Sequence, residues 1–264
     1  MKRFVYFTLG FVCAALAVVL AMSVPITAAQ EPSTLLNGLV SYWKMDEHSG
    51  TRADAHGSND LSVSGSPAWH VGKLGDAALF ANDGYLYHAS NADLQTGNIS
   101  FTLATWVYLN PDYTSETYGI VYKGEGDFIE YALAVDSGGF HFVVGNDGSE
   151  NSGADSNVSA VANQWYYIVA WVDGDTVNMQ VNNAEPTMSG VISPLSAGNA
   201  NLKIGSAFAG YATFAGRIDS VALWKRALTL EERSLLWYGG AGSDYPFRCW
   251  LEPAACVCGR SGRT

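Results

Sequence analysis

One run near the C-terminus, Phe214-Ala-Gly-Arg-Ile-Asp-Ser-Val-Ala-Leu-Trp-Lys-Arg-Ala-Leu-Thr-Leu-Glu-Glu, constrains the fold more than any other. Its first half reads as a β-strand that closes a sheet, and its second as a turn into a short helix. Thr229 is an N-cap candidate with Glu232 three residues on, the reciprocal arrangement of a capping box. Leu230, Leu235 and Leu236 supply apolar positions, and Gly239-Gly240 ends the helix. Asp219 is the one acid inside the strand, with Ile218 and Val221 on either side. Burying an unpaired charge is costly, so this carboxylate needs a partner.

The rest of the body reads as β-structure. Short apolar runs are separated by many of the 28 glycines, the texture of a domain with frequent turns. Val177, Met179 and Val181 alternate with Asn178, Gln180 and Asn182. Ile99, Phe101, Leu103, Val107 and Leu109 share one face of a long strand. Trp165 to Val172 is almost continuously apolar, as a strand covered on both faces should be. Asp173-Gly174 and the run Val135-Asp-Ser-Gly-Gly-Phe140 read as tight hairpins. Ten to twelve short strands with one terminal helix predict an all-β fold: a two-sheet antiparallel jelly-roll β-sandwich with one short C-terminal helix.

Both ends differ from this body. Lys2 and Arg3, an uncharged stretch from Phe4 to Met22 and the small residues Thr27-Ala28-Ala29 form a secretory signal over residues 1–29. The same stretch is long enough to act as an uncleaved membrane anchor. Residues 241–264 read as a disordered tail containing Arg and three Cys, Cys249, Cys256 and Cys258, after a body without cysteine. Three thiols with no fourth ligand make a poor structural zinc site. The chain carries 25 acidic against 14 basic residues. That balance argues against nucleic acid or an anionic membrane as partner.

The order of motifs resembles laminin-G-like jelly-roll domains of the concanavalin A-like lectin/glucanase superfamily, over residues 36–240. Gly38-Leu-Val-Ser-Tyr-Trp-Lys-Met-Asp-Glu47 resembles the first strand. Gly72-Lys-Leu-Gly-Asp-Ala-Ala-Leu-Phe80, Phe101 to Val107, Gln164 to Tyr167 and the closing 214–232 run are similar to the blocks that follow. Such folds host lectins, adhesion modules and hydrolases, so function has to come from a site.

The resemblance places the first and last strands side by side, which brings Asp46 and Asp219 together as candidate ligands for a structural calcium, a cation that takes six to eight oxygens. The competing reading is that Asp219 pairs with Arg217 or accepts backbone N–H groups. Glu125, Asp127 and Glu130 have a spacing that resembles the catalytic strand of laminarinase-type β-glucanases, where the two Glu act as nucleophile and general acid and the Asp orients the nucleophile. Retaining hydrolysis needs the two carboxyls about 5–5.5 Å apart. Tyr113, Tyr118, Tyr131 and Tyr211, in or beside loops, are the candidates for stacking on a glycan; aromatic rings of a sandwich are also common in the core. The five histidines lack metal-ligand spacing and carry no assignment. The expectation is a secreted or cell-surface binding module for a glycan or extracellular protein ligand, with a calcium ion. The alternatives are a glycoside hydrolase or a purely structural surface-protein domain.

Overall fold

Long strands buried on both faces in one sheet, and alternating strands such as Phe128–Asp136 and Gly139–Gly145 in the other, build the body of the protein. The computed structural model describes residues 34–81, 84–111, 117–125, 128–146, 151–190, 194–206, 214–247, 249–252 and 255–258. The expected signal segment, residues 1–29, lies outside them. Among the described residues, no helix is long and apolar enough to cross a membrane.

The strands run β1 (Leu39–Trp43), β2 (Ser62–Gly65), β3 (Ala68–Val71), β4 (Asp76–Ala81), β5 (Gly84–His88), β6 (Phe101–Leu109), β7 (Tyr118–Glu125), β8 (Phe128–Asp136), β9 (Gly139–Gly145), β10 (Asn151–Asp155), β11 (Trp165–Asp173), β12 (Thr176–Val181), β13 (Thr187–Gly190), β14 (Leu202–Ile204) and β15 (Ala215–Trp224). Helix α1 (Leu230–Trp237) follows. One sheet has the order β13-β12-β11-β6-β15-β4-β3, with β1 also paired to β15; the other has the order β10-β9-β8-β7-β14-β5-β2. All pairings are antiparallel. The predicted two-sheet sandwich is the observed one. Its extra strands are three- and four-residue pieces such as β2, β3, β13 and β14, too short to show a period.

Inward positions of the two sheets meet in one core. Phe101, Leu103, Val107 and Leu109 of β6 face Tyr131, Leu133, Phe140 and Phe142 of the opposite sheet. Ile99 precedes β6 and is exposed. A second apolar layer lies on the outer face of the first sheet. There Tyr42, Trp106, Tyr167, Trp171 and Trp224 pack under Leu236 of α1, and Trp106 stacks on Trp237 with centroids 5.5 Å apart. The continuous apolar run of β11 is explained by these two layers, one on each face.

The capping box of α1 is present, with the Thr229 hydroxyl accepting from the Glu232 N–H and the Glu232 carboxylate accepting from the Thr229 N–H. Leu236 is buried, whereas Leu230 is exposed, so the helix rests on its C-terminal half. Packing continues past the predicted boundary at 240. Phe247 is buried against Tyr42 and Trp224, Tyr245 stacks on Tyr42, and Asp244 pairs with Lys44 at 2.9 Å. Residues 241–247 therefore belong to the domain, which corrects their reading as the start of a disordered tail. Beyond them β16 (Cys249–Glu252) and β17 (Ala255–Cys258) pair as a hairpin of their own.

The helix, the terminal segments and the tryptophan layer all cover the first sheet. No helix or strand among the described residues lies over the outer face of the second.

Candidate functional site

That uncovered face carries a groove of about 290 Å³ across β7, β8 and β9, reaching Asp155 of β10. Strand register explains its shape. On the outer side Gly119, Ala134 and His141 lie in one cross-strand row and Tyr122, Ala132 and Val143 in the next. Small residues at Gly119, Ala132 and Ala134 leave a floor, and Tyr122, Ile129 and Val143 stand beside it. The lining is mainly apolar, as ligand sites generally are, with a few convergent polar groups.

Those polar groups form a chain. His141 lies opposite Asp155 on β10, and its Nδ1 is 2.7 Å from Asp155 Oδ1. Its Nε2 is 2.7 Å from Asp136 Oδ1, two residues along β8 from its Cα partner Ala134. With a carboxylate at each ring nitrogen, the imidazolium is the form that donates to both. Burial disfavours that charge, but the hydrogen bonds to Asp155 and Asp136 outweigh it and hold His141 above the ordinary histidine range. Burial raises Asp136, but the hydrogen bonds from His141 and the Gly138 N–H prevail and hold its carboxyl below the ordinary range. Burial and then the Glu125 charge push the Tyr122 hydroxyl up to about 12, so it stays neutral.

The predicted sites fall elsewhere. Tyr131 is fully buried and its hydroxyl donates to the Leu94 carbonyl; Tyr118 is buried in the same core. Neither ring can meet a sugar, which corrects both assignments. Tyr113, Tyr211 and Asp127 lie outside the described residues. Tyr122 beside the groove is itself buried, whereas Tyr85 and Tyr87 on β5 face outward, with ring centroids 6.0 Å apart. Alternation in Tyr85-Leu86-Tyr87, with only Leu86 buried, was the signal for the latter pair. His141 and Asp136 were findable from the hairpin itself, since both are outward positions flanking its turn.

Glu125 and Glu130 do not share a cleft. Glu125 ends β7 and is exposed. Glu130 is an extra residue on β8, because Lys123 pairs Tyr131 while Gly124 pairs Ile129. This bulge turns Glu130 inward beside Tyr131. Its carboxylate pairs with buried Lys123 at 2.9 Å and accepts N–H groups from Thr96 at 2.6 Å and Gly198 at 2.9 Å. Lys123 in turn donates to the Gly198 and Ala200 carbonyls. The pair fastens two loops to the end of the sandwich, and this corrects the reading of Glu130 as a general acid.

Asp46 and Asp219 do converge, on the loop between β3 and β4. Asp219 Oδ2 accepts the N–H groups of Lys73 at 2.7 Å and Leu74 at 2.8 Å, and its Oδ1 accepts the Ser220 hydroxyl at 2.8 Å. Asp46 Oδ1 accepts the N–H of Asp76 at 2.8 Å. Among the described residues, no three His, Cys, Asp or Glu side chains are grouped to hold a metal. Carboxylate oxygens already engaged by N–H and O–H donors form a hydrogen-bond clasp, and this donor set does not fit a calcium cage.

Comparison with known proteins agrees with the architecture. Domain 4 of AbnA, an extracellular GH43 arabinanase from Geobacillus stearothermophilus solved with arabinotriose, is similar with a TM-score of 0.60 and 17% identity, over 78% of this chain and 98% of that one. The binding domain of Paraclostridial Mosquitocidal Protein 1 gives 0.65 and 14%, over 77% of this chain and 52% of that one. Trypanosoma rangeli sialidase gives 0.58 and 18%, over 78% of this chain and 34% of that one. This chain thus spans about half of the toxin domain and a third of the sialidase. At these identities the likeness is one of fold. No curated protein matches the chain by sequence. A laminin-G-type family model, described as concanavalin A-like lectin/glucanases superfamily, matches residues 80–232, and the chain belongs to that family.

Proposed function

We propose that the protein is an extracellular, non-catalytic glycan-binding module whose saccharide lies in the groove on the outer face of β7 to β10. The observation that carries this reading is the groove itself: an apolar floor of Gly119, Ala132 and Ala134 with the carboxylates of Asp136 and Asp155 at its edge. Sugars present one apolar ring face and a rim of hydroxyls, and such a surface offers a partner for each. At about 290 Å³ the groove is at the lower end of ligand pockets, with room for roughly one or two sugar rings. The non-catalytic part rests on Glu130, whose carboxylate is engaged by Lys123 and backbone N–H groups. The extracellular part rests on the signal segment at residues 1–29.

A glycan array probed with the secreted form tests it. Binding to at least one saccharide class, with no new reducing ends on prolonged incubation, is the expected result. An array without a hit would overturn the proposal, and so would sustained release of reducing sugar.

A further inference from the structure

Charge around the groove is unevenly signed. Asp136 and Asp155 both carry carboxylates there, and His141 is the one basic side chain among the described lining residues. Its two ring nitrogens are each 2.7 Å from one of those carboxylates. The imidazolium charge is therefore neutralised inside the triad, and one negative charge is left over. Among the described residues, no Arg or Lys fork lines the groove to receive an anion. The nearest cation in register, Lys203 of β14, is the Cα partner of Tyr122. Its ammonium instead lies 5.6 Å from the Tyr85 ring centroid, on the β5 side of the sheet. Glu125, close enough to Tyr122 to raise its hydroxyl pKa, adds a further negative charge on the β7 side. The chain as a whole carries −11.

We propose that the groove selects uncharged saccharides and rejects carboxylated or sulfated ones, with Asp136 and Asp155 accepting hydroxyl protons of a neutral sugar whose apolar face lies on Ala132 and Ala134. This rests on the glycan-binding reading and adds the ligand class to it. Carboxylates are strong acceptors for sugar hydroxyls, because a charged partner roughly doubles the strength of a hydrogen bond. The same carboxylates repel an anionic sugar, and water screens that repulsion less at half-buried Asp136 than at exposed Asp155. The outward pair Tyr85 and Tyr87 lies on the same face of the sheet and extends the surface for a longer chain.

The test uses the secreted protein and matched saccharides. Neutral gluco-, xylo-, manno-, galacto- and arabino-oligosaccharides are compared with oligogalacturonides, sialyllactose and sulfated oligosaccharides, first on an array and then by titration calorimetry. Neutral ligands should bind at least about tenfold tighter than acidic ones, with the gap widening at low salt. Asp155→Asn removes the surplus charge at a side chain that is 79% exposed, so folding is not at issue; it should raise acidic-sugar affinity several-fold. Ala134→Phe fills the floor and should abolish neutral-sugar binding, with the melting temperature showing whether the variant folds. Equal or tighter binding of acidic sugars overturns this inference and leaves the glycan-binding reading standing. Neutral-sugar binding that survives a folded Ala134→Phe overturns it as well, since the site then lies elsewhere. An absence of binding to every saccharide is the separate failure of the glycan-binding reading.

Discussion

Asp219 and Asp46 hold one loop between them. Asp219 takes the N–H groups at Lys73 and Leu74, and Asp46 takes the one at Asp76. The reason lies in β15. Its first half pairs with β4 up to Ile218, and its second half pairs with β1 from Val221. Ser220, with φ +54, marks the break. β1 and β4 thus lie end to end along β15, and the loop before β4 fills the gap. Its backbone comes so close that a Cβ at Gly72 would meet Asp219 Oδ2, and one at Gly75 would meet Asp46 Oδ1, each at 2.5 Å.

The clasp predicts an unusual pH dependence. Burial, opposed by the hydrogen bonds and aided by the Asp46 charge, pushes Asp219 up to about 7. Between the ordinary value of 3.8 and about 7 the native state holds a proton that the unfolded chain has released. This contribution is full below 3.8 and is lost as pH rises toward 7. Asp219→Asn keeps an acceptor for the loop and cannot titrate. The stability of wild type minus that of the variant, from urea unfolding at pH 4 to 8, should fall by up to about 4 kcal/mol. Parallel curves would refute the assignment. Chelator should leave the wild-type transition unmoved; a chelator-dependent shift that Asp219→Asn abolishes would reinstate a cation there.

Glu130 gives the largest single effect on stability. Its pair with Lys123 is buried on both sides, and removing one partner leaves a charge without compensation. Glu130→Ala should lower the unfolding free energy by about 3–5 kcal/mol. A loss under about 1 kcal/mol in chemical denaturation would show that the loops stand without the pair.

These two acids show what was legible and what was not. The helix cap at Thr229 and Glu232 was visible because its chemistry is local, three residues wide. Asp219 was visible as a buried acid needing a partner, and Asp46 as its neighbour. What Asp219 grips, amides about 145 residues upstream in sequence, leaves no mark on composition or period. Tyr118, Glu130 and Tyr131 were misplaced for a different reason. β7 and β8 each carry a bulge, at Ile120 and Glu130, and a single extra residue resets which side chains face out.

Arg226 ties the segment before β1 to helix α1. Its guanidinium makes two bonds to Glu232, at 2.6 and 2.8 Å, and reaches the Asn37 and Thr34 carbonyls. Arg226→Ala should cost about 1–3 kcal/mol and expose the amides of α1 to early hydrogen exchange. Arg226→Lys should recover less than half, since an ammonium cannot reproduce the two-pronged contact. Full recovery by Lys would mean that charge alone matters.

His141 titrates as the middle of a chain of three. The groups facing it are Asp136 from β8 and Asp155 from β10, and both hydrogen bonds need an N–H on the ring. Its folded pKa is raised, so its contribution to stability is complete below the ordinary value of 6.5 and fades as pH climbs through the higher folded one. Ring-proton NMR should place the His141 midpoint above 6.5. Asp136→Asn and Asp155→Asn should each bring it down, and Asp136 should have the larger effect, because it is the less exposed partner, at 30% against 79%. A wild-type midpoint at or below 6.5 would mean that burial outweighs the carboxylates, and the groove would then carry two uncompensated negative charges at neutral pH.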